Sequence, residues 1–174
     1  YLLGLQSPWT VSRVNLDVTG QRVDVWAEHP EDGAWACPHC AKTLPLYDHA
    51  EERTWRHLDS CQFQTYLHAR IPRVKCAEHG VAQVLVPWAE PRSRFTLLFE
   101  RLAIDVLGQC DVTGATKILR VSWDEAWGIM ARAVREGPGN SDSVLSGSLA
   151  SPKPPAGGEP EERGDEENET ESRA

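Results

Sequence analysis

"ACPHCAK" (residues 36–42) and "VKCAEHGV" (residues 74–81) decide how the rest of this chain is read. The first sets Cys37 and Cys40 apart by two residues. The second repeats the interval with Cys76 and His79, after 35 intervening residues. Two ligands three positions apart in a tight turn can point at one ion, and two such knuckles tens of residues apart have the spacing of a structural zinc site. Three thiolates and an imidazole complete a tetrahedron around Zn²⁺ and leave no position for substrate. Gly80, directly after the last ligand, suits the positive φ that such a knuckle often needs. The predicted ligands of a structural Zn²⁺ are therefore Cys37, Cys40, Cys76 and His79. A redox pair would instead need its first cysteine at a helix start in a βαβ context, and no helical pattern follows "CPHC". His39 reads as a solvated turn residue. Cys61 reads as a small core residue, with a substitute ligand role as its alternative, and Cys110 as a buried or half-buried thiol.

Around the knuckles the chain has the alternation of strands. In "VNLDVTGQRVDVWAE" Val14, Leu16 and Val18, and then Val23 and Val25, alternate with polar residues about a Thr19-Gly20 turn, which predicts a hairpin. "QFQTYLHARI" puts Phe63, Thr65, Leu67, Ala69 and Ile71 on one face, and "VAQVLVPW" is a further extended segment. Residues 9–90 thus form a predicted β-rich, zinc-ribbon-like module.

After it the period changes. Phe95, Leu98, Phe99, Leu102, Ala103, Val106 and Leu107 make one apolar face of a helix. A short helix fits residues 112–119, with Asp111 as N-cap and Ala115, Ile118 and Leu119 inward; Gly114 weakens it by about 1 kcal/mol relative to Ala. "SWDE" at 122–125 is a capping box that opens a third helix running to about Glu136, where Gly137-Pro138-Gly139 stops it. Residues 93–136 are predicted to be a three-helix, helix-turn-helix domain with Val121, Ala126 and Ile129 packed inward. Trp123, Asp124, Gly128, Arg132 and Arg135 are left outward. A plain three-helix bundle has the same pattern.

Hydrophobic residues make up 40% of the 174 residues, enough for one ordinary domain or two small ones. Charge is unevenly spread. Residues 138–174 hold nine acidic side chains against Lys153, Arg163 and Arg173, a net of −6 within the chain's −8. That segment is rich in Pro, Gly, Ser and Glu without an apolar period, and reads as a disordered acidic tail. The preceding 137 residues are near −2, so the overall acidity does not exclude a polyanionic partner. Between Arg53 and Lys75 five basic residues face a single acid, Asp59, with Trp55, Phe63 and Tyr66 interleaved. Basic strands with aromatics can track a phosphate backbone; a solvated face over core aromatics is the plainer alternative. The candidate DNA contacts are Arg53, Arg56, Arg70, Arg73 and Lys75 on the strands and Trp123, Arg132 and Arg135 on the last helix. An odd count of five cysteines without a signal peptide argues against a secreted disulfide scaffold and for a reduced, cytoplasmic setting. No apolar run is long enough to cross a membrane.

"CPHC", "YDHAEERTWRHLD", "TYLHARIPRVKCAEHGV", "VPWAEPRSRFTLLFE" and "ILRVSW", in this order, resemble the N-terminal half of insertion-sequence transposases of the L-three type. The likeness runs from about residue 9 to 136. It implies that the zinc module and the helix-turn-helix bind double-stranded DNA at the terminal inverted repeats of a mobile element. It also implies a homodimer as a candidate assembly, since such ends are brought together in pairs. A ribonuclease H-like core with an Asp/Asp/Glu triad follows in that family. Its first strand is expected soon after residue 140, and Ser141–Ala174 shows no strand pattern, which reads as a truncated or out-of-frame terminus without catalytic activity. Glu161, Asp165 and Glu169 lack an apolar framework and receive no catalytic role. A second departure is Arg120, where the family's turn usually has Gly; a left-handed non-Gly residue costs about 1 kcal/mol, so a strained or reshaped turn is expected. A zinc-stabilised protein-interaction module without DNA binding is the alternative reading.

Overall fold

The computed structural model describes residues 3–136; the acidic tail expected at 138–174 lies outside them. The chain runs through six strands and then three helices, an α+β arrangement with the β-rich part first.

The strands are β1 (Thr10–Asp17), β2 (Arg22–Glu28), β3 (Ala34–Ala36), β4 (Thr43–Ser60), β5 (Phe63–Cys76) and β6 (Gly80–Gln83). They form a sheet in the order β1-β2-β5-β4-β3, with β6 also on β5. The predicted first hairpin is present: β1 and β2 pair antiparallel from Thr10↔Glu28 to Asp17↔Arg22. Its turn is fixed by the Gly20 N–H, which donates to Asp17 Oδ1 at 2.8 Å. The alternation means different things in its two strands, however. Val25 of β2 is buried, whereas Val14, Leu16 and Val18 are 60%, 54% and 65% exposed. β1 is an edge strand, and its valines reflect strand propensity rather than burial.

β4 and β5 form one long antiparallel hairpin turning at Cys61-Gln62. β2 joins β5 in parallel, from Arg22↔Gln64 to Ala27↔Ala69. Thr65, Leu67, Ala69 and Ile71 are all buried, as their spacing required. Leu67, Ala69 and Ile71 share their core with a tryptophan cluster in which Trp88 contacts Trp9 (centroids 4.8 Å apart, 83°) and Trp55 (5.6 Å, 86°) edge to face. A polar ladder ties three strands together. His68 shares a 2.6 Å hydrogen bond with Asp24 Oδ1 across β5 and β2 and a 3.0 Å one with Thr54 on β4, while Arg22 Nε donates to Asp24 Oδ2 at 2.9 Å.

The helices are α1 (Leu97–Leu107), α2 (Val112–Leu119) and α3 (Trp123–Glu136). Asp111 caps α2 by accepting from the Gly114 N–H at 2.9 Å. A Cβ on Gly114 would stand 2.8 Å from that carboxylate oxygen, so the residue that weakens the helix is what lets its cap close. The capping box of α3 is complete: the Glu125 N–H donates to Ser122 Oγ (3.2 Å), and the Ser122 N–H to Glu125 Oε2 (2.8 Å). Phe95, Phe99, Ala103, Ala115, Leu119 and Ile129 form the helical core. Two residues expected inward are not: Leu102 is 41% and Ile118 64% exposed. They border a groove between α1 and α2 with Leu58 and Leu98. With Ala115 and Leu119 one turn apart on the buried line of a two-turn helix, Ile118 falls at its edge.

The helices rest on the far end of the β4–β5 hairpin. The Arg56 N–H donates to Arg94 O (2.8 Å) and the Thr96 N–H to Arg56 O (3.0 Å), a short parallel bridge. Arg120 ends α2 in the left-handed region (φ 55°, ψ 48°), so the expected turn forms with its conformational cost. Its guanidinium donates to Gln62 O at 3.0 Å and pairs with Asp59, which also pairs with the buried Arg56.

Candidate metal centre and nucleic-acid interface

Each knuckle lies in the bend of a hairpin. The first joins β3 to β4, closed by the Cys37 N–H to Lys42 O (2.9 Å) and the Ala41 N–H to Cys37 O (2.9 Å). The second joins β5 to β6, paired from Arg73↔Gln83 to Cys76↔Gly80. In both, the residue after the second ligand is left-handed: Ala41 at φ 57° and Gly80 at φ 71°. The glycine had a sequence signal and the alanine had none.

The pairing of β3 and β6 with neighbouring ends of β4 and β5 brings the knuckles together. Among the described residues Cys37, Cys40, Cys76 and His79 are positioned to bind a metal ion, their ligand atoms all within 4.8 Å of one another. Cys40 Sγ lies 3.8 Å from Cys76 Sγ; His79 Nδ1 lies 3.4 Å from Cys76 Sγ and 3.9 Å from Cys37 Sγ. Zn–S bonds of about 2.3 Å at the tetrahedral angle put two sulfurs about 3.8 Å apart, and a sulfur and a nitrogen about 3.5 Å apart. The donor set and spacing therefore fit Zn²⁺, and four protein ligands make it a structural ion. The Cys76 thiol is lowered to about 6 by the Glu78 backbone amide, then the His79 side chain and amide, so it enters the site as thiolate near neutrality. For Cys40 the Lys42 amide lowers the value, but burial and the Cys37 and Cys76 thiols outweigh it and the net shift is upward. Outside the ligands, an exposed Lys42–Glu78 ion pair bridges the knuckles.

His39 is exposed, its ring 5.1 Å from that of His79 and outside the ligand group, as expected of a turn residue. Cys61 corrects the sequence reading: it is exposed at the β4–β5 turn with φ 58°, neither core nor near the knuckles. Cys110 is half-buried, with its Sγ 3.3 Å from Val106 O.

The candidate DNA contacts divide in two. Arg70 and Lys75 on β5 and Trp123 and Arg135 on α3 are exposed. The other four are engaged within the fold. Arg56 is 6% exposed and pairs with Asp59, so it leaves the solvent face expected of it. Arg73 Nε donates to Asp48 Oδ1 at 2.6 Å, and Arg53 donates to Ser93 O at 3.0 Å. Arg132, expected outward, donates at 2.6 Å to Glu100 on α1, itself 8% exposed and also bonded by Ser93 Oγ at 2.6 Å. Sequence reasoning also missed exposed cations at Arg92, Arg94, Arg101 and Lys117. It missed Trp127 too, 53% exposed and stacked on Trp123 (5.4 Å, 8°), although the i, i+4 spacing of the two indoles was a usable signal.

Two family models match the chain. Residues 33–79 match one described as the zinc-finger of transposase IS204/IS1001/IS1096/IS1165, and residues 84–134 match the helix-turn-helix domain of transposase family ISL3. Among curated proteins, the transposase for insertion sequence element IS1557 from two Mycobacterium tuberculosis strains, CDC 1551 / Oshkosh and ATCC 25618 / H37Rv, is 33% identical over 97 residues in each case. The alignment covers 55% of this chain and 22% of each relative, so the chain spans about a fifth of their length. No solved structure matches the chain. Among the described residues no helix is long and apolar enough to cross a membrane.

Proposed function

Because the chain carries the zinc-finger and helix-turn-helix domains of ISL3-family transposases, we propose that it is the DNA-binding part of such a transposase and recognises the terminal inverted repeats of a mobile element. The observation that supports this best is α3 itself. Its buried side, Ala126 and Ile129, packs inward, and Trp123, Asp124 and Trp127 on the other side of its first turns are exposed, in the manner of a reading helix. Arg70, Lys75, Lys117 and Arg135 supply exposed charge for phosphates. In this reading the zinc module, residues 9–90, and the helical domain, residues 93–136, bind as one unit in the cytoplasm, and a homodimer holds a pair of ends.

In this reading the chain binds DNA without cutting it. Asp24, Asp48, Asp59 and Glu100 are each tied to an arginine instead of converging on one another. A zinc-loaded chain should bind duplexes carrying the element's ends with a steep salt dependence and should leave strands uncleaved with Mg²⁺ or Mn²⁺. Absence of binding even at low salt refutes the first half, and cleavage refutes the second. The exposed apolar side chains Trp123, Trp127 and Val134 favour one other reading, a protein-interaction module. A complex that survives high salt and ignores DNA would select it.

A further inference from the structure

We infer that the stacked Trp123–Trp127 pair is a specificity element that reads thymine C5-methyl groups in the major groove. The inference rests on the DNA-binding reading above and concerns how α3 reads a base.

A helix-turn-helix sets the N-terminal residues of its second helix of the motif against base edges. In α3 those residues are unusual in what they lack. Glu125 is occupied by Ser122, whose N–H and Oγ lie 2.8 and 3.0 Å from its Oε2. Gly128 has no side chain. Arg132, the first guanidinium along the helix, is held on Glu100 by contacts of 2.6 and 3.1 Å. No free amide or guanidinium stands in the first turns to make the paired hydrogen bonds that select adenine or guanine. What does stand there is an apolar slab. Both indoles are 53% exposed, with rings nearly parallel at 8° and centroids 5.4 Å apart, beside the exposed carboxylate of Asp124. Of the groups displayed in the major groove, the thymine methyl is the one that gains from apolar contact. Exposed cations that would meet phosphates stand at Lys117 in the last turn of α2 and Arg135 in the last turn of α3 rather than in the first turns of α3.

The test starts from duplexes that the full, zinc-loaded chain enriches from a random-sequence pool. Each is resynthesised with deoxyuridine for thymidine, one position at a time, which removes only the methyl. One or more positions should lose about fourfold in affinity per methyl, the effect of withdrawing one buried carbon. A Trp123→Ala/Trp127→Ala double variant, checked for unchanged zinc content and helicity, should bind more weakly and no longer distinguish the two bases. Enriched duplexes that are indifferent to uracil at every position overturn the inference and leave DNA binding intact. A double variant that keeps the discrimination but changes its oligomeric state also overturns it and makes the indoles a protein contact. A pool in which nothing is enriched at low salt removes the DNA-binding reading and this inference with it.

Discussion

Arg120 sets two opposing effects against each other at one position, and substitution can separate them. Its left-handed backbone, φ 55°, costs about 1 kcal/mol relative to glycine. Its guanidinium donates to Gln62 O at 3.0 Å and pairs with Asp59, with side-chain exposures of 34% and 27%. At that exposure the ion pair contributes about 0.2–1 kcal/mol and the hydrogen bond about 0.5–1.5 kcal/mol. Arg120→Ala keeps the backbone cost and loses both contacts, so it should destabilise by about 1–2 kcal/mol. Arg120→Gly loses the contacts but relieves the backbone, and should lie about 1 kcal/mol above the alanine variant, within about 1 kcal/mol of the parent. Urea unfolding of the zinc-loaded chain, followed by tryptophan fluorescence, resolves this: with a slope of about 2 kcal/mol/M the two variants differ by about 0.5 M in midpoint. Equal midpoints for Ala and Gly would refute the strain, and an alanine variant as stable as the parent would refute the bridge. Repeating the pair on an Asp59→Ala background isolates the coupling, since Asp59 also holds Arg56.

Three further outcomes are expected. Cys76→Ser should lose most of its bound zinc and the β-rich module should unfold with it, as should the parent on chelation; a variant with full metal content by elemental analysis contradicts the ligand assignment. Arg132→Ala should cost about 2–4 kcal/mol of stability by stranding the buried Glu100, with little change in salt dependence of DNA binding, whereas Arg70→Ala should leave the urea midpoint in place and reduce the salt slope by about one unit; reversed behaviour would refute the placement. Burial raises the Asp24 carboxyl, but hydrogen bonds from Arg22 and His68 outweigh it and the folded value lies below the ordinary 3.8. Its contribution is therefore complete above about pH 4 and lost as pH falls through the folded value, so Asp24→Asn should be less stable at pH 7 and show a shallower acid-unfolding slope below pH 4.

Local chemistry was what the sequence made legible. The ligand knuckles, the Thr19-Gly20 turn, the Asp111 cap and the Ser122–Glu125 box each depend on residues within four positions of one another, and all four are present. What escaped depends on partners far along the chain. Arg132 looked like a solvent-facing cation because Glu100 is 32 residues away, and Arg56, although Asp59 is only three residues on, is buried where its backbone pairs with Arg94 and Thr96, far along the chain. Alternation predicted the strand of Val14 and Leu16 correctly but not its place at the sheet edge, because period fixes which residues share a face and not whether anything covers that face.

The β4–β5 hairpin places its two attachments at opposite ends. Cys76 closes β5 at the candidate metal site, and thirteen residues earlier Phe63 adjoins the turn that Arg120 grips through Gln62. At about 3.3 Å per residue the strand is a ruler of about 43 Å, longer than the roughly 35 Å of one turn of B-form duplex. A nucleic acid touched at both marks of that ruler would be covered across more than a full turn. The length of a nuclease-protected footprint would then report the hairpin's span rather than the reach of any side chain.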